Sequence, residues 1–290
     1  MAILASLNMF FLKFVGFLLS VILSGTAPAA AAAIVPKDEA NLKLQVSLLS
    51  DVHMQSFELS GFQELTKALL DIGASERPQD ALVFAGDNTM NGQNFEYLMF
   101  YGLLSKYNPV KNTSTMVVMG NHDFMAPATG RQAMDRHSFF YQSYAGAKTD
   151  GPVYCQKING YMFIMLGGED EHDEGVSAAY LEGLRLLLAV LEQDKPVFVF
   201  THYPLRDAAA LEVLARHPHV FLFNGHWHTP LHVKAEDGIT RVNLPALHSH
   251  ISDEYAGEGV QMEVYADRVI FRQRNYFTGE WGREFEVAIS

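Results

Sequence analysis

Five short polar runs carry the chemistry of this chain: Ser50-Asp51-Val52-His53, Gly86-Asp87-Asn88-Thr89, Gly120-Asn121-His122-Asp123, Thr201-His202-Tyr203-Pro204 and Asn224-Gly225-His226-Trp227-His228. Each offers carboxylate, imidazole or amide oxygen. Such groups bind divalent cations, and imidazole also moves protons near neutral pH. Each run follows directly on an apolar stretch, over residues 42–49, 81–84, 115–119, 197–200 and 220–223. Packing does not require polar residues at the ends of five successive buried strands. In open α/β sheets, strand carboxyl ends converge on the ligand crevice.

The elements that must position these runs follow from apolar spacing. Besides those five stretches, residues 161–166, 241–244, 261–265 and 268–274 read as strands, with a tight turn at Ala266-Asp267. Residues 59–72, 95–104, 131–144 and 178–191 carry apolar side chains at helical spacing. Alternating β and α, then mostly β, predicts an α/β protein of stacked sheets flanked by helices. The sequence has no internal repeat.

Composition excludes some classes. The 290 residues carry a formal net charge of −12, which disfavours a broad grip on duplex nucleic acid. The one cysteine, Cys155, excludes an intramolecular disulfide and thiolate-rich zinc sites. Any metal must therefore be held by imidazole, carboxylate and amide oxygen. Cys155 itself reads as a small apolar residue on a strand.

Residues 1–33 follow another logic. A single basic residue, Lys13, precedes an apolar run over 14–23, then small residues and five alanines, Ala29 to Ala33. This is the secretory signal pattern, with removal expected after Ala31 or Ala33. The mature protein, residues 34–290, is then one domain working outside the cytoplasm, secreted or periplasmic. An uncleaved leader would instead anchor it, the one membrane contact the sequence suggests.

Taken in this order, the five runs resemble the signature of the calcineurin-like metallophosphoesterases, over residues 51–228. The resemblance implies a two-sheet β-sandwich core flanked by helices, with a dinuclear metal site at the strand carboxyl ends. It implies that Asp87 bridges two ions, that Asp51, His53 and His228 complete one shell, and that Asn121, His202 and His226 complete the other. Such a donor set suits two divalent or mixed-valence transition-metal ions, Mn, Fe, Zn, Co or Ni. Two cations ~3.5–4 Å apart clamp an anionic phosphate and make a water acidic. His122 matches the family's substrate-facing histidine, a charge stabiliser or proton donor. Asp123 either orients His122 or caps its loop.

Departures narrow the resemblance. Met90 stands where purple acid phosphatases have a ligand tyrosine and protein phosphatases an aspartate. The expected activity is hydrolysis of small-molecule phosphate esters, diesters ahead of monoesters. The alternative is a non-catalytic metal-binding interaction module on the same fold. Four further features are weighed and mostly set aside: Arg206 reads as a surface arginine, with a phosphate contact as the alternative, the acidic run 169–174 as a solvated loop, His248-Ser249-His250 as lying off the site, with its rim as the alternative, and Tyr97, Phe100, Tyr101, Phe139, Phe140, Tyr141 and Tyr144 as core.

Overall fold

The structure, a computed structural model, describes residues 33–126, 129–146, 153–168, 176–248 and 257–289. The leader expected over residues 1–33, apart from Ala33, and the whole acidic run 169–174 lie outside these. The chain is already part of the fold at Ile34, which is buried and whose carbonyl accepts the Glu76 N–H.

Among the described residues, twelve strands form two six-stranded sheets. The first contains β1 (Leu44–Leu49), β2 (Ala81–Ala85), β3 (Thr115–Val118), β10 (Glu258–Val264), β11 (Arg268–Asn275) and β12 (Trp281–Ala288), in the order β12-β11-β10-β1-β2-β3. The second contains β4 (Val153–Ile158), β5 (Tyr161–Leu166), β6 (Val197–Phe200), β7 (Val220–Asn224), β8 (His232–Glu236) and β9 (Ile239–Asn243), in the order β4-β5-β6-β7-β9-β8. The central strands β1-β2-β3 and β5-β6-β7 are parallel, so their carboxyl ends point one way within each sheet.

Side-chain alternation builds three layers. Val46 and Leu48, Val83 and Ala85, and Met116 and Val118 face inward against Phe163, Phe198, Phe200, Phe221 and Phe223 of the second sheet. The Phe200 and Phe223 rings stack with centroids 4.4 Å apart. The opposite faces of the strands meet helices. Leu49, Leu82, Phe84 and Val117 pack against α1 (Ser60–Gly73), α2 (Asn94–Tyr107) and α3 (Gly130–Ala145). Ile164, Val199 and Leu222 pack against α4 (Ala178–Val190) and α5 (Ala208–Leu214).

This is the two-sheet, helix-flanked α/β architecture that the sequence predicts. Four elements escape sequence reading. Strands β8 and β12 are sheet edges rich in charged residues, β4 is a half-exposed edge, and α5 has only 7 residues. Cys155 does lie on a strand, but on the edge strand β4, and it is exposed rather than packed. The aromatic set divides as well. Tyr97, Phe100, Tyr101, Tyr141 and Tyr144 are buried, whereas Phe139 is exposed.

Candidate metal centre

Each polar run begins where a parallel strand ends, and backbone hydrogen bonds tie the loops together. The N–H groups of Asp51, His53 and Met54 donate to the carbonyls of Gly86, Asp87 and Asn88, extending the β1–β2 pairing into the loops. On the second sheet, Thr201 N donates to Phe223 O, and Gly225 N to His202 O. Close approach is demanded at two glycines. A Cβ at Gly120 would run into the Asp87 carboxylate, and one at Gly225 into Ser50 and Asp51.

The backbone is also strained here. Eight non-glycine residues among those described have positive φ, and five of them are Asp51, His53, Asp87, His226 and His228. Asn159 and Asp237 are hairpin-turn residues of the ordinary kind, each followed by glycine. Strain concentrated on five polar side chains of one cluster points to a site.

The side chains converge. His228 Nε2 lies 3.2 Å from Asp51 Oδ1 and 3.1 Å from His53 Nε2. His202 Nε2 lies 3.1 Å from Asp87 Oδ2 and 3.1 Å from Asn121 Oδ1. Asn121 Oδ1 is in turn 3.1 Å from His226 Nδ1. Ligand bonds of ~2.1 Å at angles of about 90–110° place neighbouring donor atoms about 3.0–3.4 Å apart. All five separations fit that spacing. The donor atoms of Asp51, His53 and His228 lie within 4.8 Å of one another, as do those of Asp87, His202 and His226. The donor atoms of His53, Asp87 and His122 meet the same limit, so His122 stands within reach of a cation held by His53.

Tautomers and charge suit a cation. His202 Nδ1 lies 2.9 Å from the Ala85 carbonyl, an acceptor, so Nδ1 keeps a proton in either charge state and Nε2, facing Asp87 and Asn121, is the nitrogen that can exchange its proton for a cation. Burial would raise the Asp51 carboxyl, but hydrogen bonding from His228 and the charges of His202, His228 and His53 hold it below the usual range. Asp87 is likewise depressed, burial being outweighed by the charge and hydrogen bond of His202. Burial pushes His53 down to about 3 against the pull of Asp87 and Asp51. For His202, burial is outweighed by Asp87, Asp51 and the Ala85 carbonyl, which raise it to about 9. Two ionised carboxylates in one buried site demand positive charge. The oxygen and imidazole donors fit borderline first-row ions.

The two residues singled out for catalysis take different places. His122 Nδ1 lies 2.8 Å from the Met90 carbonyl, and its ring meets that of His53 edge-on at 4.6 Å. Its backbone N–H donates to Asp87 Oδ1 at 2.9 Å. Asp123 is fully buried, and its carboxylate accepts from Asn88 N and Nδ2, Thr89 N and Oγ1, and Gly120 N, at 2.7–3.2 Å. The hydrogen bond seen at His122 Nδ1 is to the Met90 carbonyl. Asp123 clamps the loops after β2 and β3, an acceptor for donors that the strand ends leave over.

Other candidates separate clearly. His248 is buried, its ring 6.0 Å from that of His53, and its Nδ1 bonds to Glu64. Ser249 and His250 lie outside the described residues. Arg206 is exposed, and the Trp227 ring is half exposed. Sequence reading missed Tyr203 as a site residue, although it adjoins His202. Its ring packs on His226 at 4.3 Å.

Comparison with known proteins bears on this geometry. A family described as calcineurin-like phosphoesterase matches residues 44–230. No curated protein matches the sequence. Among solved structures, a dimetal phosphatase from Danio rerio is similar, with a TM-score of 0.65 at 16% identity, over 86% of this chain and 100% of that one. The purple acid phosphatase PPD1 from yellow lupin has a TM-score of 0.60 at 12% identity, over 84% of this chain and 53% of that one. GAP50, the anchor in the inner membrane complex of Plasmodium, has a TM-score of 0.58 at 11% identity, over 86% of this chain and 90% of that one. At such identities the likeness is one of fold.

Proposed function

The chain belongs to the calcineurin-like phosphoesterases, and on that premise we propose that it hydrolyses small phosphate esters, diesters ahead of monoesters, at two transition-metal ions. Asp51, His53 and His228 would hold one ion, Asn121, His202 and His226 the other, and Asp87 would serve both. One observation carries this reading: the donor atoms of these seven side chains stand at the spacing of a coordination shell. When bound, the ions supply charge to the phosphoryl oxygens and lower the pKa of water.

The chain's own residues supply the rest. The Met90 carbonyl fixes the proton of neutral His122 on Nδ1. Donation to a leaving group through Nε2 therefore requires the imidazolium, in which both nitrogens carry protons. Asp123 and the Gly120 turn hold His122 and Asn121 beside Asp87. The diester preference rests on the run Met90-Asn91-Gly92, which lacks the aspartate and arginine of protein phosphatases. Export rests on the leader pattern of residues 1–33, and the mass of the mature protein tests it.

Release of the phenol from an aryl phosphodiester and from the corresponding aryl monoester, with Mn added to chelator-stripped protein, tests the activity. Metal-dependent turnover, faster on the diester, is the expected result. Full metal loading with no turnover on either ester would leave a non-catalytic module. The presence of all seven donors and of His122 speaks against that alternative.

A further inference from the structure

Phe57 is fully exposed and adopts φ 65°, a left-handed conformation that bulky side chains avoid. Neither burial nor backbone preference favours phenylalanine here. Glycine or asparagine would suit such a position better. Its ring is stacked on that of Phe95, at a centroid distance of 6.2 Å and 19° between planes.

Phe57 follows the donor His53 by four residues, in a loop with a rigid mount. The loop bearing Phe57 leaves from His53 and returns to it, since a Cβ at Gly61 would lie 3.1 Å from the His53 carbonyl oxygen. Met90, whose carbonyl positions His122, donates its N–H to Met54 O in the same loop. The buried carboxylate of Glu96 fastens the remainder. It accepts from Ser56 N at 3.2 Å, Asn91 N and Nδ2 at 2.9 Å, and Gln93 N at 3.2 Å. One fully buried acid thus locks the Phe57 loop to the start of α2, where Phe95 lies. A strained backbone held this firmly presents the exposed Phe57 ring from a fixed base.

We propose that Phe57, backed by Phe95, is a specificity-determining platform on which a planar ring of the phosphoester substrate stacks while its phosphoryl group occupies the metal centre. The inference rests on the phosphoesterase reading above. An anionic lipid surface fits this rim poorly, because the neighbouring side chain is Glu58 and the chain's net charge is −12.

Binding of two non-hydrolysable anions to the Mn-loaded protein, followed by calorimetry, tests the platform. Phenylphosphonate carries the ring and methylphosphonate does not. Wild type should bind phenylphosphonate tighter by on the order of tenfold, the scale of one aromatic stack. Phe57→Asn should abolish that preference and leave methylphosphonate affinity unchanged. Its melting temperature should equal or exceed that of wild type, since asparagine tolerates φ 65°. Equal wild-type affinities, no binding of either anion, a preference that survives in Phe57→Asn, or a lowered melting temperature would each overturn the platform. If the ring preference holds but no phosphoester is turned over, the catalytic reading fails and Phe57 is left as a ring-binding surface, not a determinant of substrate specificity. Turnover without a ring preference overturns the platform and leaves the catalytic reading standing.

Discussion

Nδ1 of His122 lies 2.8 Å from the carbonyl oxygen of Met90, a contact that joins the loop after β3 to the loop after β2. A carbonyl only accepts, so this contact settles which nitrogen of the neutral ring carries the proton. In His122→Ala the rate should fall ~10²–10⁴-fold with metal content unchanged. The fall should be steeper for an alkyl ester than for an aryl ester, whose leaving group needs little protonation. Kinetics and metal analysis on the same preparation check this. Because His122 also stands within reach of a cation beside His53, loss of metal in the variant would make it a ligand.

Asp87 presents Oδ2 to His202 at 3.1 Å and to His53 at 3.8 Å, between the two donor groups. Asp87→Ala should lose most bound metal and all measurable turnover. His53→Ala should weaken mainly the position shared with Asp51 and His228. Elemental analysis after dialysis decides. Two full equivalents of metal retained in Asp87→Ala would defeat the bridging role.

Asp123→Asn tests the loop clamp. Asparagine would turn an amide donor toward N–H groups that now meet a carboxylate oxygen. The expected cost is about 2–4 kcal/mol, or roughly 5–15 °C in melting temperature for a domain of this size. An unchanged melting temperature with a displaced pH–rate profile would instead return Asp123 to the orienting role.

Buried His137 on α3 predicts an acid-side weakness away from the metal centre. Burial lowers it to about 4 from an ordinary 6.5. Between those values the unfolded chain binds the proton and the folded one does not, so stability falls as pH drops from about 6.5 toward 4. The total is on the order of 3 kcal/mol. His137→Phe, keeping a ring stacked on Tyr141, should flatten that part of the stability–pH curve. Melting temperatures of both proteins across the window test it, and parallel curves would refute it.

Much of this was legible in the sequence because the site and the fold share one signal. A buried strand that stops at Asp51, Asp87 or His202 announces both the strand and the crevice, whereas the order of the strands within each sheet carries no such mark. The sheet edges lacked such a signal. In β12, Arg283, Glu284 and Glu286 are exposed, and short-range apolar alternation is the only trace of the strand. Asp123 was ambiguous for another reason. A carboxylate beside a catalytic candidate reads alike whether it faces that ring or turns back to loop N–H groups, and the partners Asn88 and Thr89 lie more than thirty residues away in the chain. Phe57 was invisible because its significance is a backbone angle together with exposure, and neither follows from residue type.

The donors are divided between the sheets. Asp51, His53, Asp87 and Asn121 follow strands of the first, and His202, His226 and His228 follow strands of the second. Neither sheet owns all the donors of either proposed shell, so ions bound there would act as a gauge of the distance between sheets. Phe163 lies on β5, which bears none of the donors, yet its ring packs against Phe198 and Phe200 in the layer that sets that distance. Shrinking it, as in Phe163→Leu, should appear as weaker metal retention in a titration against a chelator, before any loss of fold is seen. In this architecture, metal affinity becomes a remote readout of how the hydrophobic interior is filled.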